Sequence, residues 1–110
     1  MPAKKRWLTR DIVVRTAVET ANEAGTARDV TLAALARELD VRTPSLYNHV
    51  DGVDDLKRAM ALFALRRLIH DIQQATVGLM GRDAVAATAV TYRQFALDFP
   101  GVYELTVRAV

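Results

Sequence analysis

The stretch RTPSLYNHV, Arg42 to Val50, reads neither as ordinary core nor as ordinary surface. Pro44 follows Thr43, one apolar residue (Leu46) comes next but one, and Tyr47, Asn48 and His49 then stand in a row. Thr43 is expected to cap a short helix, with Pro44 at its first position, where a missing N–H costs nothing. That helix ends near Val50, before Asp51-Gly52. Leu46 and Val50 are four apart and share a face, so they are expected to be its inward anchors together with Val41. Ser45, Tyr47, Asn48 and His49 are left to project elsewhere. So short a helix is not stable alone; the proline stiffens its start, and the polar cluster is what it presents.

Working outward, Thr31 is placed to cap a second short helix through Leu39, with Leu32, Leu35, Ala36 and Leu39 on one face. Asp40-Val41-Arg42 makes a tight turn between the two. Two short helices joined by such a turn have the shape of a helix-turn-helix. The DNA-reading version needs polar groups outward on its second helix and a few apolar anchors inward. Upstream, a helix is expected from Thr9, its N-cap, to Ala24, stopped by Gly25; its inward stripe is Ile12 or Val13, then Ala17, Val18, Ala21 and Ala24. Those small residues admit a neighbouring helix at close range. Trp7, just before, is expected to be a packing anchor. Downstream, a long helix is expected from about Val53 to Gln74. Asp54 and Asp55 favour its first turn, and Leu56, Met60, Phe63, Leu65, Leu68, Ile69 and Ile72 recur at helical spacing. Gly78 and Gly81 mark a break. A fifth helix runs over Asp83 to Phe99, Pro100-Gly101 ends it, and Val102 to Val110 starts another. No stretch alternates with period two for long enough to make a strand.

Composition narrows the chemistry. The chain of 110 residues has one domain's length and no cysteine, which excludes disulfides, thiolate zinc sites and cysteine nucleophiles. No run approaches the ~18 continuous apolar residues of a membrane span, and no apolar leader opens the chain, so a soluble, cytoplasmic protein with no membrane partner is expected. His70 beside Asp71 has no further ligands nearby and reads as helix surface. Neither a nucleophile–base pair, a metal set nor a glycine-rich phosphate loop is visible, so no enzyme activity and no cofactor or metal are expected. Net charge is only +2, but Lys4, Lys5, Arg6, Arg10 and Arg15 crowd the first 15 residues against a single acid, Asp11. Such an arm is either a solubilising tail or one that tracks phosphates.

The segment TLAALARELDVRTPSLYNHVDGVDDL, Thr31 to Leu56, resembles the DNA-binding region of the TetR family of bacterial transcriptional regulators. The matching positions are Thr31, Leu35, Ala36, Val41, Leu46, Tyr47, His49 and Leu56; AVETANEAG, Ala17 to Gly25, is similar to the family's first helix. Three departures stand out: Asp40 replaces a usual glycine, Val50 a common phenylalanine, and Val53 a lysine that contacts phosphate. Asp tolerates the left-handed conformation, so the turn is expected to survive. The resemblance implies that Tyr47 and His49 hold backbone phosphates and that Thr31 offers its hydroxyl and N–H to another. Base reading falls to Arg42, Thr43, Ser45 and Asn48, with an apolar contact from Pro44, and which of these meets a base is left open. Lys57 or Arg58, one turn beyond the missing lysine, is left to supply its phosphate contact. Lys4, Lys5 and Arg6 are an arm near the minor groove or backbone.

The expected fold is therefore all-α. Residues 1–52 form a three-helix DNA-binding domain with its basic arm; residues 53–110 form a connecting helix and the first helices of a truncated regulatory domain. DAVAATAVTYRQFALDFPGVYELTVRAV, residues 83–110, is similar to the beginning of that domain, and its FPGVYEL segment resembles one regulator subgroup. Family members continue well past this point, through the two helices of their dimer interface, so the chain is expected to be a fragment or a short form. The apolar faces of Leu65 to Ile72 and Val90 to Leu97 are then partly exposed or pair with another copy. The implied function is sequence-specific binding of a near-palindromic DNA operator by a homodimeric repressor, released by a small-molecule effector. The rival reading is a helical interaction module that pairs with another regulator or protein and binds DNA weakly itself.

Overall fold

In the computed structural model, which describes residues 7–109, the chain is helical with no strand among those residues. The helices are α1 (Arg10–Ala24), α2 (Leu32–Leu39), α3 (Thr43–Leu46), α4 (Val53–Thr76), α5 (Gly81–Asp98) and α6 (Pro100–Ala109). Lys4, Lys5 and Arg6 lie outside the described residues.

The ends of α1 arise from local chemistry. Thr9 sits in extended backbone and its hydroxyl accepts the Ile12 N–H at 3.2 Å, satisfying one of the helix's unpaired donors. At the other end Gly25 adopts φ 77°. The N–H of Thr26 then reaches the Ala21 carbonyl at 3.1 Å and that of Gly25 the Asn22 carbonyl at 3.3 Å, the two bonds of a Schellman stop. The buried stripe of α1 is Val13, Val14, Ala17, Val18 and Ala21. Val13 rather than Ile12 leads it, and Ala24, expected inside, is exposed because the helix has by then turned its last residue to solvent. Leu8, not Trp7, is the anchor before the helix: Leu8 is 4% exposed and Trp7 40%.

The core is continuous. Leu46, Val50, Leu56, Met60 and Ala64, each at most 1% exposed, join the α1 stripe with Phe95 and Val102 in one cluster. α4 packs against α1, α5 and α6, so the long helix is shared by the first helix and by the two after it. It runs to Thr76, a little past the expected end, and buries Leu56, Met60, Ala61, Ala64 and Leu68. Ile69 lies off that line and is 55% exposed. The faces Leu65 to Ile72 and Val90 to Leu97 are exposed in part: Ile69, Val90 and Leu97 stand at solvent, whereas Leu68 and Phe95 are buried; Leu62 and Val85, outside those faces, are exposed as well.

Pro100 does not merely end α5. It opens α6, where its fixed φ suits a first helical turn. α6 then crosses α1 so closely that a β-carbon on Gly101 would overlap the Ala21 carbonyl. The Gly101 N–H donates to Asn22 Oδ1 at 3.2 Å, so the side chain at the end of α1 caps the start of α6. Phe95 stacks on Phe99 at 5.2 Å between ring centres, and Tyr92 meets Tyr103 edge-on at 6.2 Å.

Gly101→Ala is therefore expected to push α6 off α1, because the obstacle is backbone and cannot swing aside. A destabilisation of about 1–3 kcal/mol should appear as a fall of about 5 °C or more in the thermal midpoint. An unchanged melting curve would mean that the two helices do not meet this closely.

Candidate nucleic-acid interface

The helix-turn-helix is built from α2, the turn and α3. Thr31 caps α2, its hydroxyl accepting the Ala34 N–H at 3.1 Å. Asp40 closes the helix in the left-handed conformation, φ 57° and ψ 45°. The Val41 N–H then returns to the Ala36 carbonyl at 2.9 Å and the Asp40 N–H to Arg37 at 3.2 Å. This is the Schellman stop of Gly25 repeated on a residue with a side chain. Val41 leaves it half-buried against the core.

α3 differs in detail from its expected form. Arg42, not Thr43, is its N-cap, with no side-chain capping bond; Thr43 is already helical and Pro44 falls within the first turn. The proline still sits where no intrahelical partner exists for its nitrogen. Regular helix lasts only from Thr43 to Leu46, after which single turns carry the chain onward: Tyr47 N–H to Pro44, His49 N–H to Leu46 at 2.9 Å and Val50 N–H to Leu46 at 3.0 Å. Leu46 is fully buried and Val50 nearly so, as the anchor role requires. Arg42, Pro44, Tyr47 and Asn48 face solvent, Tyr47 with 56% of its surface; Thr43 and His49 are half-buried. Ser45 departs from expectation. It is buried rather than projecting, because one residue before Leu46 the tight first turn carries it inward.

One group of contacts closes this segment from outside. Arg10, the first residue of α1, forks onto Asp55 in the first turn of α4, Nη1 to Oδ2 at 2.8 Å and Nη2 to Oδ1 at 3.1 Å. The same Nη1 donates to the His49 carbonyl at 2.9 Å. Asp55 Oδ2 also accepts the Asp51 N–H at 2.9 Å. The Arg10 hydrogen bonds, and then the Asp51 amide, pull the Asp55 carboxyl down to about 2.

No family model matches the chain. It is 34% identical over 103 residues to the "Uncharacterized HTH-type transcriptional regulator YobS" of Bacillus subtilis (strain 168), covering 94% of this chain and 53% of that protein. It is 36% identical over 107 residues to the "Uncharacterized HTH-type transcriptional regulator Rv0681" of Mycobacterium tuberculosis (strain ATCC 25618 / H37Rv), covering 97% of this chain and 47% of that one. The chain thus spans about half the length of the curated relatives it matches. Both relatives are named as helix-turn-helix transcriptional regulators.

Of the residues expected to meet DNA, the structure brings Arg42, Pro44, Tyr47 and Asn48 to one exposed segment with Thr43 and His49 at its margin. Lys57 is placed elsewhere. It lines a hollow with Ala27, Arg28, Gly101 and Glu104, against α6 and the loop before α2, because one turn of helix past Val53 carries the side chain round α4. Arg58 is exposed on the same helix. His70 is exposed, and among the described residues no cluster of three or more His, Asp or Glu side chains is arranged to hold a metal. No helix among them is long and apolar enough to cross a membrane.

The Arg10–Asp55 pair was not foreseen as a unit. Its members are 45 residues apart, and each has a sufficient local explanation, a basic arm for one and a helix-start acid for the other. Only the packing of α1 against α4 joins them.

The depressed carboxyl has a definite sign. A carboxylate whose pKa is lower in the folded state contributes stability above its unfolded value, near 3.8, and that contribution is lost as pH falls through about 2. Acid titration of thermal stability should therefore fall less steeply between about pH 4 and 2 in Asp55→Asn than in the parent chain. Parallel curves would show that Asp55 is not held by Arg10 in solution.

Proposed function

We propose that the chain is a sequence-specific DNA-binding regulator, with residues 1–52 as the reading head and residues 53–110 as the connecting helix and the start of a regulatory half. The observation that carries this reading is the α3 segment: Leu46 and Val50 are sunk in the core while Arg42, Pro44, Tyr47 and Asn48 stand outward. That is the division of labour a recognition helix needs. The relatives, both named as helix-turn-helix transcriptional regulators, support it.

In this reading Tyr47 and His49 donate to phosphates and fix register, while Arg42, Thr43 and Asn48 meet base edges, with Pro44 in apolar contact. The burial of Ser45 leaves it to shape the turn. Thr31, exposed at the start of α2, offers a phosphate the donors of a helix N-terminus. Lys4, Lys5 and Arg6 add charge from the arm. The full regulator acts as a homodimer on a near-palindromic operator, most often as a repressor, and an effector bound in the regulatory half releases it. No enzymatic step is assigned.

A second reading has an observation of its own. Leu62, Ile69, Val85, Val90 and Leu97 stand exposed on α4 and α5, a surface suited to pairing with another regulator or protein.

Selection from random duplex DNA at moderate salt, with Tyr47→Ala in parallel, separates the two. An enriched inverted repeat, or a single half-site from a monomer, with affinity reduced about ten-fold or more by the substitution, supports DNA reading; binding should also fall steeply with added salt. Folded protein that enriches nothing, yet pairs stably with another protein regardless of salt, would move the assignment to the interaction module.

A further inference from the structure

The α3 segment raises a problem that its two anchors do not solve. Leu46 and Val50 set how deep the segment sits, but regular helix stops at Leu46 and the residues to be presented, Tyr47 to His49, lie in single turns beyond it. One of those turns is loose, with the Asn48 N–H 3.4 Å from the Ser45 carbonyl. A run this short does not hold its own geometry. Something outside must fix the angle at which Tyr47 and Asn48 leave the protein.

We propose that Arg10 and Asp55 are positioning residues for DNA reading, holding the closing turn of the recognition segment rather than touching DNA. The proposal rests on the DNA-binding reading above and adds to it a device on α1 and α4. The two backbone groups that bracket the turn after Asn48, the His49 carbonyl and the Asp51 N–H, are both taken by this pair, each at 2.9 Å. The fork between the two side chains, at 2.8 and 3.1 Å, makes the two grips a single unit. A lone ion pair with side chains 50% and 21% exposed contributes little to stability. Here its worth lies in what each member holds besides the other.

The simpler account makes Arg10 one more cation of a basic arm. Its geometry argues otherwise. Three N–H bonds of the guanidinium are already committed within the protein, and Asp55 cancels its charge at contact distance. A group so engaged adds no net positive potential to the face.

The two accounts predict opposite signs for one substitution. Removing the Asp55 carboxylate makes the head more positive, so if charge alone mattered, Asp55→Ala would bind the selected duplex as tightly as the parent or more tightly. Positioning predicts weaker binding, by about ten-fold. Arg10→Lys keeps the charge but cannot fork onto the carboxylate and reach the carbonyl together, so positioning predicts that it loses about as much as Arg10→Met. The Arg10→Met, Asp55→Ala double variant should be no weaker than the worse single, since both break one unit.

Thermal melts establish that each variant is folded, and amide hydrogen exchange at His49, Val50 and Asp51 gives a readout independent of DNA. Faster exchange at these three amides in both Asp55→Ala and Arg10→Lys, with the α1 amides unchanged, is the expected result. Tighter or equal DNA binding by Asp55→Ala, parent-like binding by Arg10→Lys, or unchanged exchange at the closing turn would overturn the proposal. If the parent chain selects no duplex, the DNA reading falls, and the exchange data alone decide whether the pair holds this turn.

Discussion

At Ala21 the backbone of α1 comes so near to α6 that residue 101 has no room for a side chain. The approach is possible because α1 faces its neighbours with Ala17 and Ala21, both fully buried. Close contact of two helix backbones leaves polar groups to satisfy, and both are satisfied here. The Ala21 carbonyl accepts the Thr26 N–H in the helix stop, and the Gly101 N–H is taken by Asn22. Much of the arrangement depends on this contact. With α6 fixed on α1, Val102 fills the space beside the α1 stripe, and α4 is held between α1 and the helices after it.

α1 is tied at its other end as well. Arg10 opens the helix and reaches across to α4 and to the turn that follows α3. A helix of 15 residues is about 22 Å long, and both of its ends are engaged by residues distant in sequence. The unit α1–α3 is therefore not three helices that merely share a greasy interior. Its orientation relative to α4 and α6 is set by directional contacts at the ends of one rod, with apolar packing supplying most of the stabilisation between them.

How much of this was legible in the sequence depended on the range of the interaction. Local chemistry was readable almost to the residue. Thr9 and Thr31 announced their helices, Gly25 and Asp40 their stops, and Leu46 and Val50 their inward face, because capping, left-handed stops and helical periodicity are settled by a few neighbouring residues. The misplacements came where two local solutions were nearly equivalent. Thr43 and Arg42 both suit the start of α3, and the fold chose Arg42 as cap. Pro100 reads equally as the end of one helix or the start of the next, and here it is the start. Ser45 looked solvent-bound by composition, yet the tightness of a four-residue helix turned it inward. What the sequence withheld were the contacts between distant segments: Gly101 on Ala21, and Arg10 on Asp55 and His49. Their residue types carry no mark of a partner.

The same distinction governs the electrostatics around α3. Counting cations in the first 15 residues suggests a strongly positive approach to DNA, but a cation's contribution depends on what already neutralises it. Arg10 is matched by Asp55, and Arg15 by Asp11 one turn away at 3.2 Å; Lys57 is turned toward α6. Arg42, exposed at the start of α3, is differently placed, on the segment that presents Tyr47 and Asn48. The net charge of +2 therefore says less about an approach to DNA than where each cation stands and what neutralises it.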